Sequence, residues 1–271
     1  MRVGYMGDLY KVKKIDTYQI VEKCEESNID LLILCGGISN NYKTSLDFID
    51  KLGTELDRKK ISLRFIIGNT DLYYEEVVVN KERKIRDILK LYNESRYYLK
   101  NQPIMKRGVR IVACNGWYDY TFYRGKARKL SDITKKRKLW YRNKDVVYLT
   151  DERDYSVGLE NTFDYKYWKE NRIDLINKLQ GDFQKLGKAK NSVVVTYFKP
   201  SKAFMKNDPI SKYRGTFEGS LEFADLLEKF EVDECYFGMS SPKVYVKIEG
   251  VNYYCCSVKS INGLMEVVEY E

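Results

Sequence analysis

A chain of 271 residues with 44% hydrophobic and 32% charged side chains can bury a core without disulfide or metal staples, which excludes the disordered and fibrous classes. Its 48 Lys+Arg against 39 Asp+Glu leave a formal charge of +9, and it contains no histidine. That absence excludes Ser-His-Asp and Cys-His nucleophiles, an imidazole base and imidazole metal ligands, so any catalysis falls to carboxylates, Lys, Tyr, Cys or backbone groups.

No apolar run reaches the roughly 18–20 residues of a membrane span, and the opening MRVGYMGDLYKVKK lacks the order of a signal peptide. A cytoplasmic protein is expected. Six cysteines (Cys24, Cys35, Cys114, Cys235, Cys255, Cys256) show no C-x-x-C spacing and read as small buried residues of a reducing compartment.

In chain order, a short apolar run at residues 2–6 ends at Gly7-Asp8. Asp16 followed by Gln19 matches a capping box and predicts a helix start. A second run, residues 31–35, ends at Gly36-Gly37, and a helical pattern follows with Leu46, Ile49 and Leu56 on one face. A third run, residues 63–67, ends at Gly68-Asn69, before a helix over about 81–92. Residues 109–114, 192–196 and 234–237 read as further buried strands, and 243–248 with 251–258 as a hairpin around Glu249-Gly250. Short strands alternating with amphipathic helices indicate an α/β fold built from βαβ units. Residues 118–190 break the rhythm, are rich in Lys and Tyr, and predict an inserted cap with a helix over 168–186. One domain, 1–271, with that cap embedded in it is expected.

In open α/β sheets ligands sit at the carboxyl ends of the strands. Those ends are Asp8-Leu9-Tyr10, Gly36-Gly37-Ile38-Ser39-Asn40, Gly68-Asn69-Thr70-Asp71, Tyr197 within VVVTYFKP, and Gly238-Met239-Ser240-Ser241. Their order resembles the D-x-H, G-D-(variable)-N, G-N-H-[DE], lone H and G-H-x-H segments of the calcineurin-like metallophosphoesterase family. Segments Asn115-Gly116-Trp117-Tyr118-Asp119-Tyr120, Phe217-Glu218-Gly219-Ser220 and the closing hairpin are similar, more narrowly, to phosphoesterase-like proteins associated with accessory secretion loci in lactic-acid-bacteria relatives. The resemblance implies a layered β-sheet core flanked by helices. It also implies a site in which Asp, His and Asn clamp two metal ions that activate water against a phosphate ester.

Several of the implied ligands are absent. Asp8 and Asn69 keep ligand side chains, but Tyr10, Tyr197, Met239 and Ser241 stand where the family has histidines. Gly37 replaces the bridging carboxylate, and Thr70 the histidine that assists the leaving group. Two cations about 3.5–4 Å apart need shared anionic ligands, which one carboxylate and one amide do not supply. No cofactor is therefore expected, and room remains only for a weak Mg or Mn ion on Asp8 and Asn69. Tyr10 and Tyr197 have two readings: rings that fill the vacated pocket and bond to Asp8, or groups that stack on a base or donate to a phosphate. Asp71 reads as a helix cap or turn carboxylate.

Residues 124–144 carry ten Lys/Arg, among them Lys135, Lys136, Arg137, Lys138 and Arg142, and one acid, a local +9 equal to the charge of the whole chain. The rest of the protein is neutral overall. Three functions follow. One is a catalytically degenerate phosphoesterase-like protein that binds or scaffolds, with a protein partner. Another is a residual metal-dependent phosphoesterase. The third is phosphate or nucleic-acid binding through segment 124–144, with Trp140 and Tyr141 for stacking. Replacing Lys135, Lys136, Arg137 and Lys138 together with Ala tests the segment. If it docks a partner, binding weakens and its salt dependence flattens, while the melting temperature holds because exposed substitutions shift stability by about 0.5 kcal/mol or less each.

Overall fold

The computed structural model describes residues 1–11, 15–74, 81–116, 118, 122, 163–205, 218–261 and 263–271. The first half runs β1 (Arg2–Met6), α1 (Thr17–Glu26), β2 (Leu31–Cys35), α2 (Tyr42–Arg58), β3 (Ser62–Ile66), α3 (Lys81–Glu94), β4 (Ile104–Lys106) and β5 (Val109–Ala113). The second runs α4 (Phe163–Leu186), β6 (Asn191–Thr196), α5 (Leu221–Lys229), β7 (Glu234–Phe237), β8 (Tyr245–Ile248), β9 (Val251–Cys255) and β10 (Glu266–Glu269). Helix α1 starts on the expected box: Asp16 Oδ1 accepts from the Gln19 N–H at 2.9 Å, and the Asp16 N–H donates to Gln19 Oε1 at 3.3 Å.

The strands form two sheets, ordered β10-β1-β2-β3 and β4-β5-β6-β7-β9-β8. Pairs β1–β2, β2–β3, β5–β6, β6–β7 and β7–β9 are parallel, and antiparallel β10, β4 and β8 finish three of the four edges. The period-2 alternation of β1 and β2 explains the layering. Met6, Leu32 and Leu34 pack with Ile20 of α1, Ile49 and Leu52 of α2 and Ile85 of α3. Val3, Tyr5, Ile33 and Cys35, on the opposite face, share a core with Val193 and Val195 of β6 and Tyr236 of β7. Tyr5 and Tyr236 stack with ring centroids 3.8 Å apart and planes 1° from parallel. The α/β class and layered core are those expected, with two stacked sheets at the centre.

Three elements were not anticipated: β4, α5 and β10. The hairpin forms as expected, with Glu249 (φ 49°) and Gly250 (φ 86°) both left-handed in its turn. Its second strand ends at Cys255 rather than 258, because the chain there leaves β8 and crosses to the end of β1. The Gly7 N–H donates to the Cys256 carbonyl at 2.8 Å and the Val258 N–H to the Gly7 carbonyl at 3.0 Å. Helix α4 covers the helix expected over 168–186, and its Leu175, Leu179 and Phe183 enter the core. The remainder of the expected cap, residues 119–121 and 123–162, lies outside the described residues, as does the basic segment 124–144.

The backbones of the two sheets meet where β2 and β7 end. A Cβ added at Gly238 would lie 1.9 Å from the Cys35 carbonyl oxygen, so backbone occupies the place of any side chain. Gly238→Ala therefore has to push the two sheets apart. We expect a loss of at least about 3 kcal/mol in urea unfolding, beyond the usual range for overpacking. Unchanged stability would mean that the sheets are not in contact there.

Candidate functional site at the strand ends

The turns after β1, β2, β3, β6 and β7 converge on Asp8. This residue is fully buried, and its backbone is left-handed at φ 57°, a conformation that Asp tolerates better than most side chains. Its N–H donates to the Gly36 carbonyl at 2.9 Å. The carboxylate is engaged on both oxygens. Oδ1 accepts from the Tyr197 hydroxyl at 3.1 Å, and Oδ2 accepts from the Ser240 N–H at 2.7 Å and the Ser257 hydroxyl at 3.3 Å.

Tyr197 occupies the centre of the site. It follows β6 and is 1% exposed, and its ring passes between the turns that end β2 and β3. A Cβ added at Gly68 would meet the ring at 2.6 Å, at Gly36 at 2.8 Å and at Gly37 at 3.0 Å. The three glycines thus form a slot matched to the aromatic plane. At Gly37 (φ +68°) the same Cβ would also lie 2.7 Å from Asp8 Oδ1. Of the two readings for this tyrosine, the geometry matches the ring that fills the pocket and bonds to Asp8.

The other expected positions divide. Tyr10 donates its N–H to the Gly37 carbonyl at 3.3 Å and is 36% exposed, unlike the buried Tyr197. Asn69 and Thr70 are buried at the short 3-10 turn Thr70–Leu72, and the Thr70 hydroxyl has no hydrogen-bond partner among the described residues. Met239 is a core residue whose N–H donates to the Tyr197 carbonyl at 2.9 Å. Ser241 faces the other way, donating its hydroxyl to the Phe204 carbonyl at 3.0 Å. Lys135, Lys136, Arg137, Lys138 and Arg142 lie outside the described residues.

Asp71 is the turn carboxylate that one reading anticipated, on a larger scale. It is fully buried and accepts five hydrogen bonds: from the N–H groups of Gly37 (2.8 Å), Ile38 (2.9 Å), Ser39 (3.0 Å) and Gly68 (2.8 Å), and from the Ser45 hydroxyl (2.8 Å). Burial pushes its carboxyl above the usual carboxylate range, and these donors pull it back. Ser240 and Ser257, which complete the shell of Asp8, were missed. Ser240 acts through its backbone, which carries no residue-type signal, and Ser257 reaches the site only because the chain crosses from β9 to β1.

The chain matches the calcineurin-like phosphoesterase family over residues 1–238. It belongs to that family. Its fold is similar to that of the phosphopantetheinyl hydrolase from Mycobacterium tuberculosis, at 15% identity, 98% coverage of this chain, 95% of that one and a TM-score of 0.69. A dimetal phosphatase from Danio rerio is 13% identical, with 94% and 86% of the two chains covered and a TM-score of 0.49. No curated protein shows significant sequence similarity to the chain.

Family members hold two metal ions at these strand ends, and the residues present here do not fit such a pair. Among the described residues no three His, Cys, Asp or Glu side chains group as metal ligands. Both Asp8 oxygens are taken up by donors, and an aromatic ring lies in the glycine slot beside them.

Two substitutions separate the roles of Tyr197. Tyr197→Phe keeps the ring and removes one donor from a buried carboxylate, so it should cost about 1–3 kcal/mol. Tyr197→Ala also empties the slot and should cost about 3–5 kcal/mol. Chemical denaturation reads both, and an Ala variant no worse than Phe would show that the ring is not seated.

Proposed function

We propose that this protein is a catalytically degenerate member of the phosphoesterase family that works by binding a partner, not by hydrolysis. One observation carries the reading: the Tyr197 ring lies in the slot of Gly36, Gly37 and Gly68 with its hydroxyl on Asp8. The positions Asp8, Tyr10, Gly37, Asn69, Thr70, Tyr197, Met239 and Ser241 are then vestiges of a metal centre. Asp8 and Tyr197 persist because together they close a buried polar site.

A protein is the partner class we assign, with segment 124–144 supplying positive charge for an acidic surface. The cysteines support an intracellular, reducing setting. All six are free and buried, and burial pushes the thiol of Cys24 up to about 12 and that of Cys114 up to about 11, which leaves little reactive thiolate at neutral pH. Among the described residues no helix is long and apolar enough to cross a membrane.

Elemental analysis and hydrolysis assays test the proposal together. The purified protein should carry Mn, Fe and Zn well below one per chain, and phosphomonoesters and diesters should be hydrolysed no faster with added Mn²⁺ than without protein. Gly37→Asp should not create activity. It should cost about 1–3 kcal/mol of stability, because the new side chain meets Asp8 and Tyr197 from a left-handed backbone. Two metals per chain surviving dialysis, or turnover that Asp8→Ala abolishes, would overturn the reading.

A further inference from the structure

Beside the strand-end site a cavity of about 490 Å³ opens between α3, α4 and the 3-10 turn Leu99–Asn101. That volume lies within the range of small-molecule sites. Gly68 is the one residue of the Tyr197 slot that also lines it, and neither Asp8 nor Tyr197 does. Its walls are mixed: Leu72, Leu89 and Leu175 are apolar, and Lys100, Lys178 and Asp174 bring charge.

The charges are unequally satisfied. The Lys178 ammonium lies 2.6 Å from both carboxylate oxygens of Asp182, one helical turn on. Lys100 is partly buried, and among the described residues it makes no hydrogen bond and no ion pair. Burial lowers its pKa, Cys114 opposes that, Lys178 adds to it, and Asp174 and Asp182 oppose it further. A partly buried ammonium beside leucines is screened less than an exposed one, so an anion that reaches it gains more. With Asp174 and Asp182 also acting on it, this cation, without an ion pair among the described residues, suits a single negative charge better than two.

We propose that the cavity binds a small apolar monoanion, its carboxylate on the Lys100 ammonium and its hydrocarbon body against Leu72, Leu89 and Leu175. Asp174 on the same wall disfavours a phosphate dianion. The proposal is independent of the reading of the strand-end site, and its failure would leave that reading untouched.

Calorimetric titration of the full-length protein with pentanoate, inorganic phosphate and pentan-1-ol tests it. Pentanoate should bind saturably, and more tightly than either of the others. Lys100→Met should weaken pentanoate by about tenfold or more, the scale of a hydrogen bond to a charged group. It should melt no lower than the parent, because an unpaired cation is lost. Lys100→Gln serves if the Met variant does not fold. Asp174→Asn should act in the opposite direction and tighten binding roughly 2–5-fold, the scale of an exposed charge pair. The proposal is overturned if pentanoate shows no saturable binding, if the alcohol or phosphate binds as tightly, or if the Lys100 variants bind pentanoate as the parent does.

Discussion

The strand-end turns of this protein hang on one buried carboxylate. Asp71 lies outside the set of residues expected to hold metal, yet it accepts from four backbone N–H groups and one hydroxyl, and so joins the turn after β2, the turn after β3 and the first turn of α2. Each of those donors would otherwise be a buried polar group without a partner, at about 1–3 kcal/mol apiece. The hydroxyl of Tyr92 on α3 donates to the Asp71 carbonyl at 2.8 Å, which brings a second α-helix into the same knot. The geometry of Gly36, Gly37 and Gly68 follows from this, and so does the slot that receives Tyr197. A residue whose work is to satisfy backbone groups is needed whatever chemistry the turns around it carry.

Around Asp8 the same economy holds at smaller scale. A carboxylate taken fully out of water needs donors on both oxygens, and here they come from three separate turns, at Tyr197, Ser240 and Ser257. The two sheets are joined through that residue as much as through their apolar faces. The left-handed backbone of Asp8 is held by the Gly36 carbonyl on one side and by the path through Gly7 to Cys256 and Val258 on the other.

Much of this was legible in the residues. Continuous apolar runs such as Leu31–Cys35 can only be strands buried on both faces, and the Asp16–Gln19 pair marked a helix start that the structure reproduces bond for bond. Short edge strands were not legible: Ile104–Lys106 and Glu266–Glu269 are brief and half-polar, and pair on one side only. Alternation in β1 and β2 told which residues share a face, but a face against helices and a face against a second sheet want the same side chains. In the site, Tyr197 opposite Asp8 could be read because the strand-end order placed it. The contributions of Ser240 and Ser257 depend on a backbone N–H and a chain crossing, neither of which leaves a mark in composition or spacing. Tyr10 shows the limit of reading by position, since the same substitution of Tyr for an expected histidine left one residue buried in the glycine slot and the other 36% exposed.

The seating of Tyr197 also bears on how such a protein can change over time. The ring and the three glycines are mutually dependent: any side chain returned to the slot collides with the ring, and a smaller residue in place of the ring leaves a void in the core. Each single substitution that places a side chain in the slot lowers stability before it can confer any benefit. Neutral drift therefore runs easily in one direction and is blocked in the other. The slot works as a ratchet: with the ring seated, a bulkier residue at any of the three glycines carries a stability cost, and the fold is held as it stands.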